Sequence, residues 1–215
     1  MEVTNRLTTH VIVLCLLMAT ASPSVSGAQQ PASATSSDLL SGTLSFLGHS
    51  TVGDFVGSTS QVSGAVVGDA SGARGWIEAP VATLDTHNEH RDRDLRAVMA
   101  VDKYPTMRFD LDSAMTRASG QYLDDTFDVQ LYGRLAIHGV TRAIELPAAV
   151  SRRGDTLHVS AAFPLDVTDY HIGGLTKLFG LLRMRRQIEV RVDLRFVRAT
   201  NQANSLTSST QERIR

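Results

Sequence analysis

Residues 187–197 read QIEVRVDLRFV, and an apolar residue alternates here with a charged or polar one almost without a break. Successive side chains of a β-strand point to opposite faces, so this period of two predicts a strand with one wet and one dry face. Residues 127–138 and 157–165 repeat the pattern. The dry face of each strand must be covered, either by a second packed layer or by the contents of a closed barrel.

Working outward from these strands, further apolar runs and turn residues predict about eight strands in all. They cover residues 42–49, 55–67, 75–83, 106–113, 126–138, 143–150, 156–165 and 187–197. Hairpin-sized turns such as Gly139-Val140-Thr141 and Arg153-Gly154-Asp155 separate several of them, and connections this short join antiparallel neighbours. Two long connections remain, residues 85–105, with a short helix predicted around residues 92–101, and residues 166–186.

Many residues on the dry faces are small. Ala79, Gly133, Ala148 and Ala161 stand among the larger apolar residues of their strands. Protein interiors pack at crystal-like density, so small inward groups in a barrel leave a void. The dry faces therefore favour a barrel with a ligand-filled cavity. The alternative is a sandwich in which small residues let two sheets approach closely.

The N-terminus has the features of a secretory signal peptide. Arg6 precedes an apolar run over residues 11–21, and Ser26 and Ala28 occupy the −3 and −1 positions of a cleavage site. The run is too short to span a bilayer comfortably. We therefore expect residues 1–28 to be a cleaved signal peptide and the protein to be periplasmic or secreted, with an uncleaved anchor as the alternative.

The rest of the chain is predicted to hold one domain. Residues 29–37 have the composition of a disordered leader and residues 199–215 that of a disordered tail, which leaves residues 38–198 as the domain. The single cysteine, Cys15, lies in the signal segment, so the mature chain has no disulfide, cysteine nucleophile or cysteine-bound metal. The 21 basic and 22 acidic residues nearly balance and give no electrostatic basis for binding nucleic acid.

Catalytic motifs are poorly represented. The sequence has no Gly-x-Ser-x-Gly, no His-Glu-x-x-His and no glycine-rich phosphate loop in the right context. His87 and His90 have a spacing that is common by chance in polar loops, and His49 is expected to pair with a neighbour such as Asp54. We therefore expect no enzyme activity, no metal and no cofactor. A hydrolase that uses His49 or residues 87–90 is the weakest alternative.

Two segments are suited to the end of a barrel. Asp92 and Asp94 fit the first turn of a helix, with Asp92 as its N-cap, and Arg91 is expected to tie this segment to the rim. A second segment has helical spacing and predicts an apolar flap made of Ile172, Leu175, Leu178, Phe179 and Leu182. Candidate contacts for an anionic head group are Lys177, Arg183 and Arg185. The alternatives are a helix that plugs the barrel end and a solvated cationic face.

Six motifs along the domain resemble one known family. They are Phe46-x-x-His49, Val52-Gly53-Asp54-Phe55, residues 82–86 (ATLDT), 91–95 (RDRDL), 103–109 (KYPTMRF) and 133–141 (GRLAIHGVT). Their order and spacing resemble the YceI-like polyisoprenoid-binding proteins over nearly all of the domain. The chain departs from that family at Tyr170-His171-Ile172, where the family often has glycine in the middle position.

The resemblance implies an all-β fold, a single eight-stranded antiparallel lipocalin-like barrel with one or two short helices. It also implies an exported protein without enzymatic activity, whose long apolar channel holds an isoprenoid chain or a similar amphiphile such as an isoprenoid quinone. Together with the dry faces, it predicts a protein that sequesters or carries such a lipid, with transient membrane contact and no nucleic-acid partner.

The dry-face residues are the predicted channel lining. They are Phe46, Phe55, Ile77, Val81, Phe109, Phe127, Val129, Leu131, Leu135, Ile137, Phe163, Val190 and Leu194. The predicted cover of an opening is Leu175, Leu178, Phe179 and Leu182. From another functional class, the alternative is a structural or stress-related interaction module whose barrel is filled by its own side chains.

Overall fold

The computed structural model describes residues 35–69, 72–117, 126–173, 176–177 and 182–199. Its elements are β1 (Thr35–Ser50), β2 (Gly53–Thr59), β3 (Ser63–Asp69), β4 (Gly72–Pro80), α1 (Glu89–Val98), β5 (Thr106–Thr116), β6 (Thr126–Ile137), β7 (Val140–Arg153), β8 (Thr156–Asp166), β9 (Thr176–Lys177), β10 (Leu182–Arg183) and β11 (Gln187–Arg198). Short 3-10 turns lie at Val81–Thr83 and Val167–Tyr170. The predicted signal peptide and nearly all of the predicted tail lie outside the described ranges.

The long strands form one closed antiparallel barrel. Hydrogen-bonded neighbours follow the order β11, β8, β7, β6, β5, β4, β3 and β1, and β1 also pairs with β11, which closes the ring. In that last pair Phe46 lies opposite Val190 and Gly42 opposite Leu194. The all-β barrel is therefore confirmed. The alternative of two packed sheets is wrong because no free edge divides the ring.

The barrel strand that follows β1 is interrupted and consists of β2 and β3. One strand was predicted over residues 55–67, but β2 and β3 are separated by residues 60–62. Both keep the same register on β1, with Thr59 opposite Leu44 and Ala65 opposite Asp38. At the break, the Gln61 N–H donates to the Thr59 hydroxyl at 3.0 Å. β3 pairs with β4, whereas β2 does not. In β2, Ser58 instead exchanges backbone hydrogen bonds with Asp85, which lies in the segment before α1.

β1 begins earlier than predicted. Its first residues were assigned to the leader, which was expected to end at residue 37, but β1 starts at Thr35. These residues pair with β3, where Thr35 lies opposite Gly68. Backbone pairing does not depend on side-chain hydrophobicity, so a Ser- and Thr-rich segment can extend a strand that apolar residues begin.

Helix α1 begins three residues before the predicted start. Asn88, not Asp92, is its N-cap, and its side chain accepts from the Arg91 N–H at 3.0 Å. Asp92 instead lies buried in the first turn, where its carboxylate accepts from the Thr86 N–H at 3.0 Å and the Thr86 hydroxyl at 2.6 Å. This contact fastens the helix to the residues that follow β4. No helix in the described ranges combines the length and apolar character needed to cross a membrane.

The Asp92→Asn variant is expected to lose about 1–3 kcal/mol of unfolding free energy at pH 7, because an amide cannot replace two bonds to a charged acceptor. Hydrogen bonding from Thr86 holds the pKa of Asp92 below its ordinary value of 3.8. A carboxyl with a lowered folded-state pKa contributes stability above its unfolded-state pKa and loses it as pH falls. The difference between variant and wild type should therefore shrink below about pH 4. Urea unfolding at pH 7 and pH 3 measures it, and an equal difference at both values would contradict this role.

The predicted helical flap is wrong where the structure describes it. Lys177 pairs with Leu182 and Thr176 with Arg183, so β9 and β10 form a small antiparallel ladder. Glycines at residues 173, 174 and 180 and the β-branched Thr176 disfavour a helix here despite the apolar spacing. Leu175, Leu178 and Phe179 lie outside the described residues.

Left-handed backbone occurs at two informative positions. The β6–β7 turn is His138-Gly139, with φ of 52° and 76°, one residue earlier than predicted and in the sense favoured by two-residue hairpins. His171, which stands where the resembling family often has glycine, has φ 55° and ψ 25° after the second 3-10 turn. The position keeps the conformation that glycine adopts most easily, although it carries a histidine.

Candidate functional site

A cavity of 690 Å³ runs through the barrel. Every barrel strand contributes to its wall, and so does α1. At one end, called the α1 end, the wall includes Val52 and Met184; at the other, called the far end, it includes Phe127 and Leu157. Phe127 and Ile137 both line it from β6, and ten strand residues tilted in a barrel span about 25 Å along the axis.

The inner wall consists mainly of hydrocarbon. Along β11, Val190, Leu194 and Phe196 are buried and line the cavity, whereas the intervening Arg191 and Asp193 are exposed. The alternation that predicts the strand therefore also supplies the cavity wall. Among the described residues, the charged and hydroxyl side chains in the lining are Ser50, Thr86, Arg91, Asp94, Arg108 and Thr116.

Small inward residues produce the space only in part. Ala79 and Ala161 line the cavity, as predicted for small residues on the dry faces. Ala148 is buried but is not part of the lining. At Gly133 the prediction is wrong, because the Phe109 ring covers the glycine: an added Cβ would lie 2.6 Å from Phe109 Cζ. Aromatic rings often cover strand glycines in this way. A small residue on the dry face therefore adds to the cavity only where no neighbouring ring, such as that of Phe109, covers it.

All predicted channel residues except Val81 line the cavity. Val81 lies in the first 3-10 turn and is buried in the core. Of the predicted head-group contacts, Lys177 and Arg183 lie on β9 and β10, and Arg185 is exposed, with its backbone N–H donating to His49 O at 2.8 Å. Contact of any of these residues with a lipid stays a prediction.

The contribution of α1 to the wall was not predicted. Leu95 and Val98 line the cavity from this helix, and so does Met99 at its C-cap. Their spacing of three and four residues is the signal that could have found them. The signal is weak, because only three of the ten residues of α1 are apolar and the other seven are charged or histidine.

An empty space of this size is costly. At about 24 cal/mol per Å³, each 100 Å³ of apolar space left dry would cost about 2 kcal/mol, a sizeable share of the stability of a typical domain. Water is a poor filler because each buried water needs two to four polar partners. The wall therefore favours an apolar guest.

The histidines of the described residues lie outside the cavity wall. His49 Nδ1 is 2.7 Å from Asp54 Oδ1, as predicted, and His158 Nε2 is 2.9 Å from Asp193 Oδ2. His138 Nδ1 is 3.1 Å from Tyr170 O. Within the described ranges, no three His, Cys, Asp or Glu side chains are grouped to hold a metal. Burial raises the pKa of Tyr170, so its hydroxyl stays protonated at neutral pH.

A closed antiparallel barrel around an apolar cavity defines a lipocalin-like class of protein. The sequence profile of the YceI-like domain matches residues 36–196. The chain therefore belongs to the YceI-like domain family. No curated protein matches the sequence.

Solved structures with this fold come from several bacteria. A polyisoprenoid binding domain from Saccharophagus degradans, implicated in plant cell wall breakdown, has a TM-score of 0.65 at 16% identity, covering 76% of this chain and 98% of that one. Burkholderia cenocepacia BcnA has a TM-score of 0.60 at 16% identity, covering 74% and 96%. The Campylobacter jejuni YCEI protein has a TM-score of 0.52 at 17% identity, covering 65% and 82%. At these identities the likeness concerns the fold alone.

Proposed function

We propose that this protein is an exported carrier that holds a long-chain apolar amphiphile in its barrel and performs no chemistry on it. The observation that carries the proposal is the 690 Å³ cavity with its hydrocarbon wall. Its volume lies within the range of about 300–1,000 Å³ typical of ligand sites. An interaction module with a self-filled barrel is less consistent with this wall. Within the described part of the chain, no histidine lines the wall to support a hydrolase.

We propose a polyisoprenoid or an isoprenoid quinone as the ligand. The Saccharophagus degradans domain with this fold is named for polyisoprenoid binding, and the length of the cavity suits a linear chain better than a globular guest. Each buried methylene contributes about 0.8 kcal/mol, so two or three isoprene units supply on the order of 10 kcal/mol before ordering costs are subtracted.

The proposed location is the periplasm or the exterior, as the signal-like N-terminus predicts, and loading is proposed to involve transient contact with a membrane. Val52 supports such contact, since this residue at the α1 end is 79% exposed and also lines the cavity. An apolar side chain at the rim would allow a chain to pass from lipid to protein with little exposure to water.

A series of polyprenols of increasing length tests the proposal. Delipidated protein should bind them with an affinity that rises with each added isoprene unit, because each buries more apolar surface. The rise should stop once the chain exceeds the cavity. Isothermal titration in a mild detergent measures it. Affinity that is independent of length, or absent, would contradict the carrier function.

A further inference from the structure

The polar residues of the cavity wall are distributed unevenly. Ser50, Thr86, Arg91 and Asp94 all lie at the α1 end, beside the end of β1 and the start of the helix. Thr116 is the polar residue at the far end. The sixth polar lining residue, Arg108, is engaged by carboxylates of its own sheet. Among the residues that the structure describes, the cavity therefore has a hydrocarbon body, and its polar lining residues are concentrated at the α1 end.

Arg91 is the cation of that polar end. Its guanidinium carbon lies 4.5 Å from the centre of the Phe55 ring, which also lines the cavity. Its Nη1 donates to Thr86 O at 3.3 Å. This bond uses one of the five N–H donors of the guanidinium. The ring and the carbonyl together hold the planar group against the cavity wall.

Asp92 and Asp94 belong to the same helix as this cation. Hydrogen bonding from Thr86, helped by the positive charge of Arg91, lowers the pKa of Asp92. Asp92 is buried and accepts both hydrogen bonds from Thr86. Asp94 lines the same end but is exposed, whereas Arg91 is half-buried. A half-buried cation has lost more hydration than an exposed carboxylate, so it gains more from an anionic partner.

We infer that Arg91 binds an acidic head group at the α1 end, with the tail of the amphiphile directed toward the far end. The guanidinium fork matches two oxygens of a phosphate or carboxylate. This inference rests on the proposed function and refines it. It favours a polyisoprenoid with an acidic head over a neutral quinone, and it assigns the head-group contact to Arg91 rather than to Lys177, Arg183 or Arg185.

A polyprenyl phosphate and the polyprenol of the same length test the inference, because they differ only in the head. Wild-type protein is expected to bind the phosphate at least about tenfold more tightly. The Arg91→Met variant should lose that preference, because methionine can still pack on Phe55 but has no N–H group to donate to the phosphate. The matched control Arg185→Met removes an exposed cation at the same end and should keep the preference.

The outcomes separate the inference from the function on which it rests. Equal affinity of the wild type for both ligands, or an undiminished preference in Arg91→Met, would overturn the assignment of Arg91 and leave the carrier function standing. Failure of the wild type to bind either ligand would overturn the carrier function itself. The wild-type preference needs no variant, so a poorly folded Arg91→Met protein would still leave the inference open to refutation.

Discussion

The Leu131→Trp variant is expected to bind a long-chain polyprenol about 30-fold more weakly than wild type. Leu131 lines the cavity near the middle of β6, opposite Ala114 on one side and Leu146 on the other. An indole there occupies the path of the chain. Loss of burial for about three methylenes costs roughly 2 kcal/mol, which corresponds to that factor. Titration of delipidated protein with polyprenol measures the change.

The neighbouring residue supplies a matched control. Tyr132 lies on the same strand but is not part of the cavity wall, so Tyr132→Trp introduces the same side chain on the other face. This control should bind like wild type. Both variants should unfold within a few degrees of wild type. The cavity has room for the ring in Leu131→Trp, and Tyr132→Trp exchanges one aromatic side chain for another outside the cavity. Normal binding by a folded Leu131→Trp protein would show that the chain does not occupy the cavity.

The Gly133→Ala variant is expected to lose about 3 kcal/mol of unfolding free energy, near the upper end of the usual cost of overpacking. A Cβ on Gly133 would lie 2.3 Å from the backbone oxygen of Asp110 and 2.6 Å from Phe109 Cζ. The carbonyl belongs to the β5–β6 ladder and cannot move without breaking the pairing. For a domain of this size, the melting temperature should fall by about 10 °C.

Gly68→Ala is the control for this variant. It also places a methyl group on a strand glycine, but the nearest atom to that Cβ is Gly72 O at 3.8 Å, an ordinary contact. Its melting temperature should stay within about 2 °C of wild type or rise slightly, because alanine restricts the unfolded chain. Thermal unfolding by circular dichroism compares the two. Equal stability of both variants would mean that Phe109 does not cover Gly133.

The strands could be predicted from the sequence because each carries its own alternation, as β11 and β6 do. The alternation by itself does not predict closure, because closure depends on pairing between β1 and β11, which are distant in sequence and whose individual patterns would equally suit two sheets. The barrel was favoured by the small inward residues and implied by the resemblance to the YceI-like proteins. The break between β2 and β3 was missed for a related reason. Both segments keep one register on β1, and only the local bond from Gln61 to Thr59 marks the interruption.

The cavity wall could be predicted along the strands and not elsewhere. Inward positions follow from the alternation, which explains the success on β6 and β11, but the approach of α1 to the wall is a tertiary feature. The helical spacing of Leu175 and Leu182 misled the prediction of a flap, since apolar spacing says nothing about glycine content nearby. Gly133 shows the same limit: its strand predicts an inward position, but only the packed structure shows that Phe109 covers it.

Native mass spectrometry of the full protein, purified gently from the cells that produce it, tests most directly whether the barrel cavity holds a lipid. We expect a non-covalent adduct that organic solvent releases and that fragments as a prenyl lipid with a long hydrocarbon tail. A mass equal to that of the bare polypeptide, together with no uptake of added polyprenol or polyprenyl phosphate, would contradict this expectation.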